Sequence, residues 1–561
     1  MPGDDRRGDK ASPYGDRVAQ DRDGTAAPRT WPSQSADRHG QFDLAALQGR
    51  HRRRGQAGHR HSTSSDWWRR SLRSSHAGAA QEATQSSRGA EMNPDTILGY
   101  CDEIDVLTQK IRDELGSEPP DPGPEDETVI NNCGDVQATL TAGGNVALAP
   151  NLVCEGSYSF DTPDTKLRGQ GGNKITGSGN PALRVSVGID HIGIEALEGA
   201  SNYDSVIRVG KNDTNQTTVD QAPDDVKIEG VRVATHRGKR GIEVNAANVT
   251  IKDCDIRDVY SSAKQDSQAI AILNAPGPVL ISGGYFEAAS ENIMVGGDKM
   301  KIPNCRPTGI TIEDAVFTKP IVWKGNSSIP TKNLLELKDG HNVTIRRCTL
   351  TNSWASGQDG YGFMFTPKNG GSLRNLVVEN CTMSEVGAIV NITGHDFTAD
   401  NASSLPRTTA EMRGGNYRTN KTAMGGPGRF CLITEGPESV VFRGMTIEHE
   451  GSSFVDYADK ASCDILHILD CTWNYGSYGI RIGGANHGDN TAGVIKDLVI
   501  TGNTIRGAHS QFKSRYPDNI YIDAMSAERE REVDRKDIVQ AVQRELNEEL
   551  KRLKARLRSD V

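Results

Sequence analysis

The chain has 561 residues, 60 of them glycine and only 5% aromatic, with a formal net charge of −9. That composition fits a thin, turn-rich core, and the acidic balance argues against general nucleic-acid binding, which needs surplus Lys and Arg for the phosphates. No run of 18 apolar residues occurs, so no membrane insertion is expected.

In chain order, residues 1–91 are rich in Arg, Ser, His and Gln and have no periodic apolar face. They read as a disordered basic extension, or as sequence upstream of a start at Met92. No apolar h-region follows either methionine, so no Sec-type signal peptide is expected. Ile97, Cys101, Ile104, Ile111 and Leu115 line one face of a helix predicted over 92–115, and the Pro- and acid-rich stretch 116–128 reads as a stiff linker. The body is predicted over 129–525. Near its start Cys133 and Cys154 are a candidate disulfide that spacing alone does not decide.

One frame organises the body. NVTIRRCTL (342–350) recurs as NVTIKDCDI, GITIEDAVF, NLVVENCTM and DLVITGNTI, with looser copies between them. Its small-residue slot falls at Val231, Cys254, Gly284, Ala315, Cys348, Cys381, Gly415, Met445, Cys471 and Asn503. Successive slots lie between 23 residues (Val231 to Cys254) and 34 residues (Cys381 to Gly415) apart. Self-similarity at that interval marks a solenoid, and the period-two alternation makes each frame a strand. The four slot cysteines read as buried thiols. A second alternating run follows each frame, for example at 292–296, 334–338, 362–366 and 389–393. The fold class predicted is therefore all-β: a right-handed parallel β-helix solenoid of about ten or more coils, with strands about 4.8 Å apart. After Asp523 glycine disappears, and 526–561 reads as an amphipathic helix. Val539, Val542, Leu546, Leu550, Leu553 and Leu557 form a narrow seam, which predicts a homo-oligomer, a trimer being favoured.

Alternation also assigns the outer face. With Leu335 and Leu337 inward, Glu336 and Lys338 point out. Carrying the parity through Pro367 sends Lys368 out, and the next coil exposes Asn391, His395 and Asp396. One coil earlier Asn292 is expected outside. These groups form one candidate polar surface. Trp354 and Tyr361 come from turns, where aromatic faces stack on sugars. Asp266, Glu291, Glu336, Asp359, Asp396 and Glu435 are the acids from which a glycoside hydrolase pair would be drawn.

NLLELKDGHNVTIRRCTL followed by GFMFTPKNGG resembles the active-site coils of polysaccharide lyases of the chondroitinase B and alginate lyase type. The resemblance implies a Lys base that removes the C5 proton of a uronic acid, assisted by a basic neighbour. Carried over, Lys338 is the base and Lys368 the partner cation, with Glu336 and His395 beside them. Asn292, Asn391, Trp354, Tyr361 and Asp396 are the expected substrate-binding residues. Lys368 stands where those enzymes have Arg. Thr331 and Asn333 stand where acidic calcium ligands are expected, so calcium is not supported by the motif and no cofactor or metal is expected. Over about 133–396 the chain is similar to β-helix proteins of the pectate-lyase-like superfamily, a likeness specific for fold.

The expected function is polysaccharide binding by a phage tail-spike or fibre-type receptor-binding protein with depolymerase activity by β-elimination, located on a virion or outside the cell. The alternatives are a secreted bacterial polysaccharide lyase and a non-catalytic structural β-helix.

Overall fold

The computed structural model describes residues 127–522, apart from 397, 399–403 and 459–460. The expected extension (1–91), the helix over 92–115, nearly all of the linker (116–128) and the C-terminal helix (526–561) lie outside the described residues. Among the described residues no helix is long and apolar enough to cross a membrane.

The chain winds through three sheets of 14, 14 and 12 strands, and neighbouring strands run parallel. One coil shows the plan: Gly340–Arg346 in the first sheet, Thr349–Ser353 in the second and Tyr361–Phe365 in the third. The next coil repeats it as Leu373–Glu379, Thr382–Val386 and Ala388–Thr393. This is the right-handed parallel β-helix that the repeat predicts.

The recurring frame is not one strand but two, joined across a corner. In NVTIRRCTL the backbone turns at Arg347, whose φ is 53°. Its counterparts Gly230, Asp253, Gly283, Asp314, Asn380, Gly414, Gly444, Asp470 and Gly502 also have positive φ, from 50° to 71°. A left-handed residue costs about 1–2 kcal/mol unless it is Gly, Asn or Asp, which explains the composition of this column. Stacking adds a steric reason: a Cβ at Gly283 would collide with the Asp253 carboxylate, and one at Gly414 with the Asn380 amide.

The slot after each corner is interior, and Cys254, Cys348, Cys381 and Cys471 are buried free thiols as expected. In the first sheet Ile228, Ile251, Ile281, Ile312, Ile345 and Val378 form a register-aligned, fully buried column. β-branched side chains suit such a pleated surface, and each contributes roughly 1.5–3 kcal/mol by leaving water. At one end the helix Val136–Ala142 buries Val136 and Leu140, and Cys133 is disulfide-bonded to Cys154. At the other, Phe512 of the helix Ser510–Arg515 packs edge-on against Trp473 and Tyr475. The last strand, Ile520–Ile522, pairs in the second sheet with Thr504–Arg506, although its alternation resembles that of third-sheet strands.

Connections from the second sheet to the third differ widely in length. Gly387 alone separates Val386 from Ala388. Between Thr318 and Leu335 the connection runs from 319 to 334, which is 334 − 319 + 1 = 16 residues.

Candidate functional site

Six consecutive strands of the third sheet frame the site: β1 (Arg240–Asn245), β2 (Gln268–Ile272), β3 (Glu291–Val295), β4 (Leu335–Leu337), β5 (Tyr361–Phe365) and β6 (Ala388–Thr393). Their register stacks Ala271, Met294, Glu336, Met364 and Asn391 in one row. Ile270, Ile293, Leu335, Phe363 and Val390 form the neighbouring column and are fully buried in the core. The outward parity read from the sequence for Glu336 and Asn391 therefore holds.

A groove of about 510 Å³ lies over this face, lined by Lys239, Arg240, Asp266, Gln268, Met294, Asp298 and Lys338. The Lys338 ammonium sits 3.2 Å from Glu336 Oε1 and 3.8 Å from Met294 Sδ. Glu336 is only 4% exposed, and its oxygens also receive longer hydrogen bonds from Asn333 and Thr366. Asp266 takes an ion pair from Lys332 at 2.6 Å, and the same ammonium lies 3.7 Å from Glu291 Oε1. Glu291 is fully buried, and its Oε2 accepts a hydrogen bond from Gln268 Nε2 at 2.7 Å. Burial first, and the negative charge of Glu336 second, push its carboxyl above the usual range, against the pull of Lys338 and Lys332. Three of the acids singled out from the sequence, Asp266, Glu291 and Glu336, thus lie together, whereas Asp396 pairs with Lys368.

Several expectations are corrected. Asn292 is not on the outer face: it is fully buried, and its Nδ2 donates to the Phe286 and Thr318 carbonyls. The N–H groups of Asn292 and Ile293 both point at the Leu334 carbonyl, a bulge-like doubling that breaks the alternation where β3 begins. Lys368 does stand beside Lys338, its N–H donating to the Lys338 carbonyl at 3.0 Å, but its side chain has partners of its own. Its ammonium donates to Thr398 Oγ1 at 2.7 Å and lies 3.5 Å from Asp396, so two ion pairs replace the expected cation pair. His395 and Asp396 face different partners: His395 Nδ1 contacts the Glu435 carbonyl, and Asp396 accepts from Thr398 and Gly370. Trp354 is 2% exposed and packs with Trp323, Ile329 and Met424, because turn aromatics here fold onto the flank of the coils. Tyr361 is 1% exposed, and its hydroxyl has no hydrogen-bond partner among the described residues. Neither ring offers a face to a sugar.

Arg240, Gln268, Lys332 and Lys319 were missed by sequence reasoning. A signal existed for two of them: RGIEV, QAIAI and ENIMV place Arg240, Gln268 and Glu291 at one position of the frame, and the strands pair them in register. Lys319 gave none. It is fully buried, and its Nζ donates to the carbonyls of Ala288 and Ser290 at 2.7 and 2.9 Å and to Asn292 Oδ1 at 3.1 Å.

These residues do not fit calcium, a hard dication that prefers several carboxylate oxygens. Thr331 and Asn333 supply only neutral oxygens, and the Lys319 ammonium already holds those around Asn292.

No protein-family model and no curated protein matches the chain. Among solved structures it is similar to an alginate lyase from Paenibacillus sp. str. FPU-7, with 14% identity, a TM-score of 0.39, and coverage of 56% of this chain and 98% of that one. A tailspike protein mutant of E. coli bacteriophage HK620 in complex with a pentasaccharide has 9% identity and a TM-score of 0.41, covering 72% of this chain and 76% of that one. The catalytic domain of a GH87 α-1,3-glucanase in complex with nigerose has 10% identity and a TM-score of 0.42, covering 72% and 70%. At such values these likenesses do not bear on activity, and the parallel β-helix is established by the three sheets themselves.

Proposed function

We propose that this chain binds a uronate-containing polysaccharide in the groove on its third sheet and cleaves it by β-elimination. The observation that carries the reading is the placement of Lys338: its ammonium lines the groove beside Glu336, with Lys239 and Arg240 on the same surface. Those two cations, rather than Lys368, are the groups to hold the uronate carboxylate. A bound chain dries the groove, and drying favours passage of a proton from Lys338 to Glu336, because two charges are cancelled. Neutral Lys338 then takes the C5 proton, the C4–O bond breaks as C4=C5 forms, and Glu336 returns its proton to the leaving oxygen. The pair ends as it began.

Hydrolysis is the second reading. It is favoured by Glu291 and Glu336, two carboxyl groups on neighbouring coils, of which Glu291 is raised in pKa by burial and then by the charge of Glu336. The wider setting of the proposal is a homotrimeric tail-spike-type receptor-binding protein on a virion or outside the cell. A secreted bacterial lyase with the same groove is its alternative, and a non-catalytic structural β-helix the simplest one.

The test is a panel of uronate polysaccharides, followed by ultraviolet absorbance for unsaturated products and by a reducing-end assay. Elimination gives both signals and hydrolysis only the second. Lys338→Ala is expected to lower turnover by at least about 100-fold, the range of a lost general base. Unchanged turnover in that variant sinks the assignment.

A further inference from the structure

We infer that Asp266 and Asp298 are specificity-determining acids, which admit a polysaccharide whose uronates are spaced by uncharged sugars and turn away a homopolymer with a carboxylate on every sugar. The inference rests on the proposed function and names the substrate class of the same groove.

Both side chains line the groove together with Lys239, Arg240 and Lys338. Asp266 stands two residues before β2 and Asp298 three residues after β3, so an acid lies at each edge of the strands beneath the groove. Gly296 and Gly297, at φ 73° and 97°, turn the chain between β3 and Asp298. A Cβ at Gly297 would come within 3.0 Å of Lys338 Cδ, so the stem of the lysine lies against that glycine. Asp298 Oδ2 is 3.8 Å from Arg240 Nη2. It is therefore close both to the base and to a cation assigned to the substrate carboxylate.

Each cation here already has an acid. Lys239 meets Asp204 at 2.9 Å, and Arg240 meets Glu243 at 3.1 Å as well as Asp298. Lys332 meets Asp266 at 2.6 Å, and Lys338 meets Glu336 at 3.2 Å. Four cations thus face five acids before the buried Glu291 is counted. A polyanion is gathered by surplus positive charge, and this groove has none. One uronate can still take the place of Asp204 or Asp298 on Lys239 and Arg240, because ion pairs of such exposed acids are weak. Its neighbours along the polymer then meet Asp266 and Asp298. An ionised carboxylate only accepts hydrogen bonds, so it pairs with the hydroxyls of a neutral sugar and repels a second carboxylate.

The test is calorimetric binding of alginate and polygalacturonate, each intact and after partial reduction of its carboxylates to primary alcohols. Reduction keeps linkage and stereochemistry and changes only the spacing of charge. Wild type is expected to bind a reduced polymer at least about tenfold more tightly than its intact parent, a preference that shrinks as salt is raised. Asp266→Asn/Asp298→Asn is expected to bind the two forms alike. The two side chains are 53% and 55% exposed, so the amide variants keep the fold, and each single variant is run beside the double. Equal binding of both forms by wild type, or a preference that survives in the double variant, would overturn the inference while leaving the uronate groove in place. Binding of neither form by wild type would sink the uronate groove and this inference with it.

Discussion

Glu291 gives the sharpest prediction at the scale of one residue. Burial, reinforced by Glu336, pushes its carboxyl up to about 7 from an ordinary 4.5. Between those values the unfolded chain has lost the proton and the folded chain keeps it. The associated stability is therefore complete below about 4.5 and is lost as pH rises through about 7. Burial acts on Lys319 in the opposite sense, disfavouring its charge, and the Glu291 carboxylate counters it. The expected result is a fall in unfolding free energy across the weakly acidic range that Glu291→Gln flattens, measured by denaturant titration at several pH values. A profile identical to wild type would mean that the carboxyl titrates normally. At this scale the sequence is readable only where strand geometry is regular. LLELK puts Glu336 and Lys338 outside because alternation decides it. Asn292 is misplaced by a doubled hydrogen bond at Leu334, and no local pattern marks Lys319 as buried, since its acceptors lie on another coil.

At the scale of the element, the corner matters more than the strand. The apolar alternation of each frame is plain in the sequence, yet a frame read as one strand is two, because Arg347 turns the backbone. Polar pairs before the small slot were visible as a pattern, but their meaning as left-handed corners needed the φ values. Ala196 stands at such a corner, with φ 49° and without the Gly or Asx that relieves strain there. Its side chain is exposed, so no packing is lost by removing it. Ala196→Gly removes about 1–2 kcal/mol of left-handed strain and returns about 0.5–1 kcal/mol as unfolded-chain entropy. A net gain of roughly 0.5–1 kcal/mol is expected, read as a shift of the denaturation midpoint at constant slope. A destabilised variant would show that the Ala196 methyl group carries an interaction of its own.

At the scale of the whole molecule, repetition in the sequence sufficed for the architecture. A 23- to 34-residue interval and two alternating runs per interval imply stacked coils, and the three parallel sheets match. Which coils carry chemistry was less legible, since the groove collects Arg240, Asp266 and Asp298 from turns and strand ends far apart in the chain. Oligomeric state rests on the apolar seam of 526–561. Light scattering of the full chain is expected to give the mass of a trimer, and removal of 527–561 the mass of a monomer. A monomeric full chain would remove the tail-spike setting while leaving the groove and its chemistry as they are.

The unequal connections between the second and third sheets have an evolutionary consequence. Coil register is set at the left-handed corner on the other side of the second sheet, so the chain can lengthen a connection without re-registering any strand. The 16-residue stretch 319–334 delivers Lys319 and Lys332 to the site, where a neighbouring coil uses Gly387 alone. A change at Lys332, which is partly exposed and pairs with Asp266, would alter the charge beside the groove without re-registering any strand, whereas Lys319 is buried and tied to the preceding coil.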